Sequence, residues 1–139
     1  MTVVVDASIL VVLVTADPRR GAAEIAVAGW LRGGASLHAP ELLPYELASG
    51  ITRTVALGGL PRDKAAEAWE AAQRIPIQLH ALADGPRIVE IATRLQRHSA
   101  YDAAYLALAE QLDAELWTFD GPLSRNAAGI GGFRVRLVQ

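Results

Sequence analysis

No cysteine occurs in the chain. Disulfide frameworks, thiolate zinc sites and cysteine nucleophiles are thereby excluded, and a reducing compartment is compatible with what remains. Lysine is nearly absent: Lys64 is the sole one, and every other Lys/Arg position is arginine. With a formal net charge of −2, the chain offers a polyanion no broad cationic surface. A nucleic acid would need a local arginine cluster or a bound cation to offset the chain's own carboxylates. Long apolar runs are also missing. The run 9–14 is flanked by Asp6 and Asp17, follows no basic segment, and falls far short of the roughly 20 residues of a membrane span. A soluble, unexported, cytoplasmic protein is expected. There is no glycine-rich GxGxxG or P-loop to cradle a nucleotide, and no internal repeat.

What is present is a recurring unit. The β-branched run Thr2-Val3-Val4-Val5 reads as a buried strand that breaks at Asp6, and an apolar helix-like run follows at 9–14. Asp6 is a good helix N-cap there, and it also sits where open α/β sheets place their ligands, at the carboxyl end of a strand. The segment 115–119, with Thr118 in it, repeats the pattern and ends at Asp120, which serves equally as a turn or cap residue. Further strands are expected at 36–39, stopped by Pro40, at 75–79, confined by Pro76 to an edge or a strand start, and at 133–138. Helices are expected at 22–32 after a polar loop, 41–57, 61–74, 87–97 behind an Asp84 cap, 103–113 and 123–127. Strands alternating with helices predict an α/β fold, a three-layer α/β/α arrangement on a mostly parallel central sheet, as one domain over residues 1–139. His38 has no ligand partner at local spacing and reads as structural, and Trp69 reads as packing.

Two more acids fit their surroundings poorly. Glu46 lies at the edge of the apolar face formed by Leu43, Leu47 and Ile51, where a carboxylate needs a partner. Arg53, two turns on, is one candidate. Asp102 is explicable as a helix-start acid in a capping pair with Ser99. Its helical neighbours Tyr105, Leu106 and Ala109, however, turn it towards the packed face. If Asp6, Glu46, Asp102 and Asp120 share one end of the sheet, their mutual repulsion requires raised pKa values or bound cations. All-oxygen ligation favours Mg²⁺ or Mn²⁺ over zinc, and that chemistry suits phosphodiester hydrolysis.

The blocks Val4-Val5-Asp6-Ala7-Ser8, Leu43-Pro44-Tyr45-Glu46-Leu47-Ala48, Tyr101-Asp102-Ala103-Ala104-Tyr105-Leu106-Ala107-Leu108-Ala109 and Thr118-Phe119-Asp120 resemble, in order, the four motif blocks of the PIN-domain family. Within it the chain is most similar to the VapC toxins of toxin–antitoxin pairs. The resemblance implies a Mg²⁺- or Mn²⁺-dependent endoribonuclease with Asp6, Glu46, Asp102 and Asp120 as its acidic site. Asp6 and Asp102 would be direct ligands, Asp120 a ligand direct or through water, and Glu46 a ligand or base. It also implies a homodimer and inhibition by a small VapB-like antitoxin. Ser8 and Thr118 would support the acids by hydrogen bonding, while Arg19, Arg20 and Arg125 are candidates for RNA phosphate contacts. Some members carry a further acid shortly after the fourth; here Leu123, Ser124, Arg125 and Asn126 stand there. Three rivals remain: a receiver-like domain, lacking a late lysine; a haloacid-dehalogenase-like phosphatase, with Ser8 in place of its second acid; and an inactive PIN-like interaction module.

Overall fold

The computed structural model describes residues 1–97 and 100–139. Its elements alternate as expected: β1 (Thr2–Val5), α1 (Ala7–Val14), α2 (Arg20–Arg32), β2 (Ser36–Pro40), α3 (Leu43–Ala56), a 3-10 turn (Arg62–Lys64) leading into α4 (Ala65–Gln73), β3 (Ile77–His80), α5 (Gly85–Arg94), α6 (Tyr101–Gln111), β4 (Glu115–Thr118), α7 (Gly121–Ile130) and β5 (Val135–Leu137). The sheet order is β3-β2-β1-β4-β5, and each of these neighbouring pairs is parallel.

Strand β1 is central, so both of its faces are covered. Val3, Val4 and Val5 are 0%, 0% and 1% exposed, which is why this strand reads as a continuous apolar run rather than an alternation. Val3 and Val5 pack with Ile9, Val27 and Trp30 under α2. Val4 packs on the other side with Leu43 and Leu47 of α3 and Leu106 of α6. The chain leaves β1 for β2 on one side and reaches β4 on the other. The sheet order therefore reverses between β1 and β4, the switch point where such sheets bind ligands. A receiver-like order would be 2-1-3-4-5, which this sheet does not have.

Several boundaries differ from the sequence reading. Pro40 does not stop β2 but is its last residue, in register with His80; the Glu41 amide then donates to the His80 carbonyl at 2.9 Å, so pairing resumes beyond the missing proline donor. Helix α7 is longer than expected because the Asp120 carboxylate caps it, with Pro in its first turn, and it ends at Gly131 with φ 71°. The helix expected over 103–113 begins at Tyr101, and Ala100 precedes it without a side-chain cap. The capping role assigned to Ser99 lies outside the described residues. Pro76 does precede an edge strand, β3. Among the described residues, no helix is long and apolar enough to cross a membrane.

Helices α1 and α3 approach closely at Gly50, where a Cβ would lie 2.4 Å from Val11 Cγ2. Gly50→Ala is therefore expected to destabilise the protein by about 1–3 kcal/mol through overpacking, despite alanine's better helix propensity. A thermal melt checks this; an unchanged or raised melting temperature would mean that Val11 has room to move.

Candidate active site

Asp6 follows β1 directly and caps α1, its Oδ1 accepting the Ser8 amide at 3.0 Å. The Ser8 hydroxyl also donates to Oδ1, and the Thr118 hydroxyl at the end of β4 donates to Oδ2 at 2.5 Å. Both hydroxyls accept in turn from backbone: Phe119 N to Ser8 Oγ at 3.0 Å and Asp120 N to Thr118 Oγ1 at 2.9 Å. Each hydroxyl has one proton, and each points it at Asp6. The network thus ties the ends of β1 and β4 together and aims its donors at an ionised Asp6. Burial works the other way. Asp6 is 8% exposed, and desolvation outweighs these hydrogen bonds, raising its pKa from 3.8 to about 6, with the charge of Asp120 adding to the rise.

Asp120 caps α7, accepting from Leu123 N at 3.0 Å, and so stands beside Asp6 across the switch point. Asp102 comes in on the first turn of α6, half-buried, and its pKa is raised by burial and by Asp120; Arg97 opposes the rise, at a loose 3.9 Å from Oδ2. Glu46 projects from α3. Its pKa is raised chiefly by burial and further by Asp102. The Tyr105 hydroxyl faces Glu46 and opposes that rise, while burial and Glu46 together push the Tyr105 pKa upward; the contact falls short of ideal hydrogen-bond geometry, so neither Glu46 Oε1 nor the Tyr105 hydroxyl has a well-formed bond. Arg53 is not the partner of Glu46: no ion pair links them among the described residues.

All four acids line one cleft of about 570 Å³. Arg19 lines it too, but its guanidinium is held by Asp17 at 2.9–3.0 Å and lies 5.0 Å from the centre of the Phe119 ring. Arg20 pairs with Glu24 at 2.9 Å away from this cleft, and Arg125 folds against Gly121 at the start of α7. The structure thus gathers the four acids with Ser8 and Arg19, places Thr118 behind Asp6, and leaves Arg20 and Arg125 outside. The sequence reading missed Arg53 and Tyr105 as cleft residues. Spacing held the clue in both cases, since Arg53 is seven residues from Glu46 and Tyr105 three from Asp102, on shared helix faces.

The donor set is entirely carboxylate and hydroxyl oxygen, which suits a hard divalent cation. A buried Glu46 oxygen without a well-formed hydrogen bond and raised pKa values at three of the four acids fit a site that takes a counter-ion. Among the described residues, no three carboxylates or imidazoles are already spaced to hold an ion, yet the charges couple in series, Asp6 with Asp120, Asp120 with Asp102 and Asp102 with Glu46.

Comparison with known proteins gives a consistent family. The model of the PIN domain matches residues 3–129. The chain is 32% identical over 131 residues to "Ribonuclease VapC3" of Pyrobaculum aerophilum, covering 89% of this chain and 93% of that protein. It is 35% identical over 131 residues to "Ribonuclease VapC1" of Mycobacterium tuberculosis, covering 92% and 90%. In fold it is similar to VapBC2 from Rickettsia felis, solved bound to a DNA fragment from their promoter, with a TM-score of 0.72 at 10% identity over 100% of both chains.

Proposed function

Since this chain belongs to the PIN-domain family, we propose that it is a metal-dependent endoribonuclease, the toxin of a type II toxin–antitoxin pair, which hydrolyses phosphodiester bonds in cellular RNA. The observation that carries this is the ring of Asp6, Glu46, Asp102 and Asp120 around one cleft at the β1–β4 switch point. The ribonuclease names of two relatives aligned over most of the chain support the choice of RNA.

Asp6, Asp102 and Asp120 would hold Mg²⁺ or Mn²⁺, with Glu46 as a further ligand or as the base. When bound, the cation supplies Lewis acidity and offsets the charge of the phosphodiester. Ser8 and Thr118 fix the orientation of Asp6 at the cleft wall. Burial lifts Glu46 towards the range in which a carboxylate can take a proton from water. The likeness to VapBC2 supports a small VapB-like antitoxin as partner; the proposal extends to a homodimer acting in the cytoplasm, with residues 1–139 forming a single PIN-like domain.

The test is incubation of the purified protein with RNA in millimolar Mg²⁺ or Mn²⁺ and in EDTA, alongside growth of cells expressing it. Cleavage only with metal, and slowed growth relieved by a co-expressed antitoxin, are expected. The rival is an interaction module without activity. RNA left intact at pH 7.5 with metal, together with normal growth, decides for that rival.

A further inference from the structure

Among the arginines lining the acid cleft, Arg53 differs from Arg19. Arg19 is committed to Asp17 and Phe119. Arg53 is exposed, lines the same cleft, and has no ion pair among the described residues. It was one candidate partner for Glu46, and seven residues of helix place its backbone about 10 Å further along the α3 axis on the same face. Arg53 is thus an unneutralised cation at one end of a channel whose centre is anionic, in a chain with net charge −2. A polyanion entering the channel meets repulsion at the acids until a cation binds there, and attraction at Arg53.

We propose that Arg53 binds a backbone phosphate of the RNA flanking the one that is cut, one or two nucleotides along the strand. This rests on the ribonuclease function above. The Arg53 backbone lies about 10 Å along the α3 axis from that of Glu46, a displacement that favours a phosphate next to the reacting one over the phosphate held at the carboxylates. Arg53 therefore contributes to binding and register rather than to the chemical step.

The test compares wild type with Arg53→Gln and Arg53→Lys on a single-stranded RNA oligonucleotide in Mn²⁺, with Arg32→Gln, an exposed arginine of α2 outside the cleft, as control. Arg53→Gln is expected to raise KM about 5–20-fold, the loss of one charge-assisted phosphate contact, with kcat within about twofold. Arg53→Lys should recover most of that loss, because a point charge suffices for a phosphate. The slope of log affinity against log salt should become shallower by about 0.7 in Arg53→Gln, the share of one single-strand phosphate. Melting curves confirm that the variants are folded, and fluorescence anisotropy with the same RNA in EDTA at low salt reads binding without cleavage. An unchanged KM and salt slope overturns the proposal, and so does a loss confined to kcat, which would put Arg53 at the reacting phosphate. Weakened inhibition by the antitoxin with normal RNA binding also overturns it, assigning Arg53 to a protein contact. If wild type binds the RNA through Arg53 but does not cut it, the ribonuclease function fails while the phosphate contact stands.

Discussion

Asp6→Asn is expected to lower metal-supported RNA cleavage by at least about a hundredfold, the scale of losing several kcal/mol of transition-state charge stabilisation, and at the same time to raise the melting temperature of the metal-free protein at pH 7.5. The two effects have one cause. Asp6 is buried, and its pKa is raised from 3.8 to about 6, so the folded state holds the proton that the unfolded chain releases between those values. A raised folded-state pKa contributes stability that is fully present below the unfolded value and is lost as pH rises through the folded one. Above pH 6 the ionised, buried Asp6 therefore costs the metal-free fold on the order of 3 kcal/mol as an upper limit. Asparagine keeps the cap on α1, being as good an N-cap as aspartate, and removes the charge; its NH2 cannot accept the Thr118 proton, which takes back part of the gain. A gain of about 1–3 kcal/mol, or roughly 3–10 °C, should follow at pH 7.5, and it should shrink as pH is lowered through 6 towards 4. Melting curves over that range with a parallel cleavage assay check both halves. Full activity in the variant would sink the assignment of Asp6 to the site; a pH-independent stability change would sink the explanation by burial.

Asp102→Asn should share the loss of cleavage with a smaller gain in stability, because Asp102 is only half-buried and Arg97 already offsets part of its charge. An enzyme site of this kind is a place where the fold accepts poor electrostatics for function, and removing the charge reverses the exchange.

Much of this site is legible in the amino-acid sequence, for reasons that lie in particular residues. Val3, Val4 and Val5 announce a strand covered on both faces, and Asp6 directly after them marks its carboxyl end. Glu46 stood out because a carboxylate beside Leu43 and Leu47 has no reason of its own to be there. The illegible parts all depend on strand adjacency. Ser8 and Thr118 meet at Asp6 only because β1 and β4 are neighbours, a pairing between segments more than 100 residues apart, which no local pattern reveals. His38 looked isolated for the same reason. Its Nδ1 lies 2.8 Å from His80 Nε2 on the adjacent strand, and its Nε2 is 2.9 Å from Ser36 Oγ, so its structural role is filled by a partner 42 residues away. Arg53, a candidate partner for Glu46 on spacing alone, makes no ion pair with it among the described residues; whether two long side chains two turns apart meet depends on their rotamers, which sequence spacing does not report.

Millimolar Mn²⁺ should raise the melting temperature of the wild-type protein by about 8–12 °C at pH 7.5. A ligand bound only by the native state at a hundred times its Kd stabilises it by about 2.7 kcal/mol, and for a domain of 139 residues each kcal/mol is worth roughly 3–5 °C. The same ion should do much less at pH 5. There Asp6, with its pKa near 6, is mostly protonated in the metal-free fold, so binding must first expel that proton and the apparent affinity falls with pH. Raised values at Asp102 and Glu46 act in the same direction. Because the acids surround the cleft without a ready-made three-ligand cluster, the ion must also draw side chains inward. Glu46, whose contact with Tyr105 falls short of a well-formed hydrogen bond, has least to lose by moving, whereas Asp6 is held by Ser8 and Thr118. Asp6 is then the fixed point of the site and Glu46 its adjustable one, so Asp6→Asn should abolish the Mn²⁺ shift and Glu46→Gln only reduce it. Thermal shifts measured for the three proteins at pH 7.5 and pH 5 decide the matter: a shift of equal size in Asp6→Asn would place the ion elsewhere on the molecule, and a shift that grows towards pH 5 would show that it does not compete with the proton on Asp6.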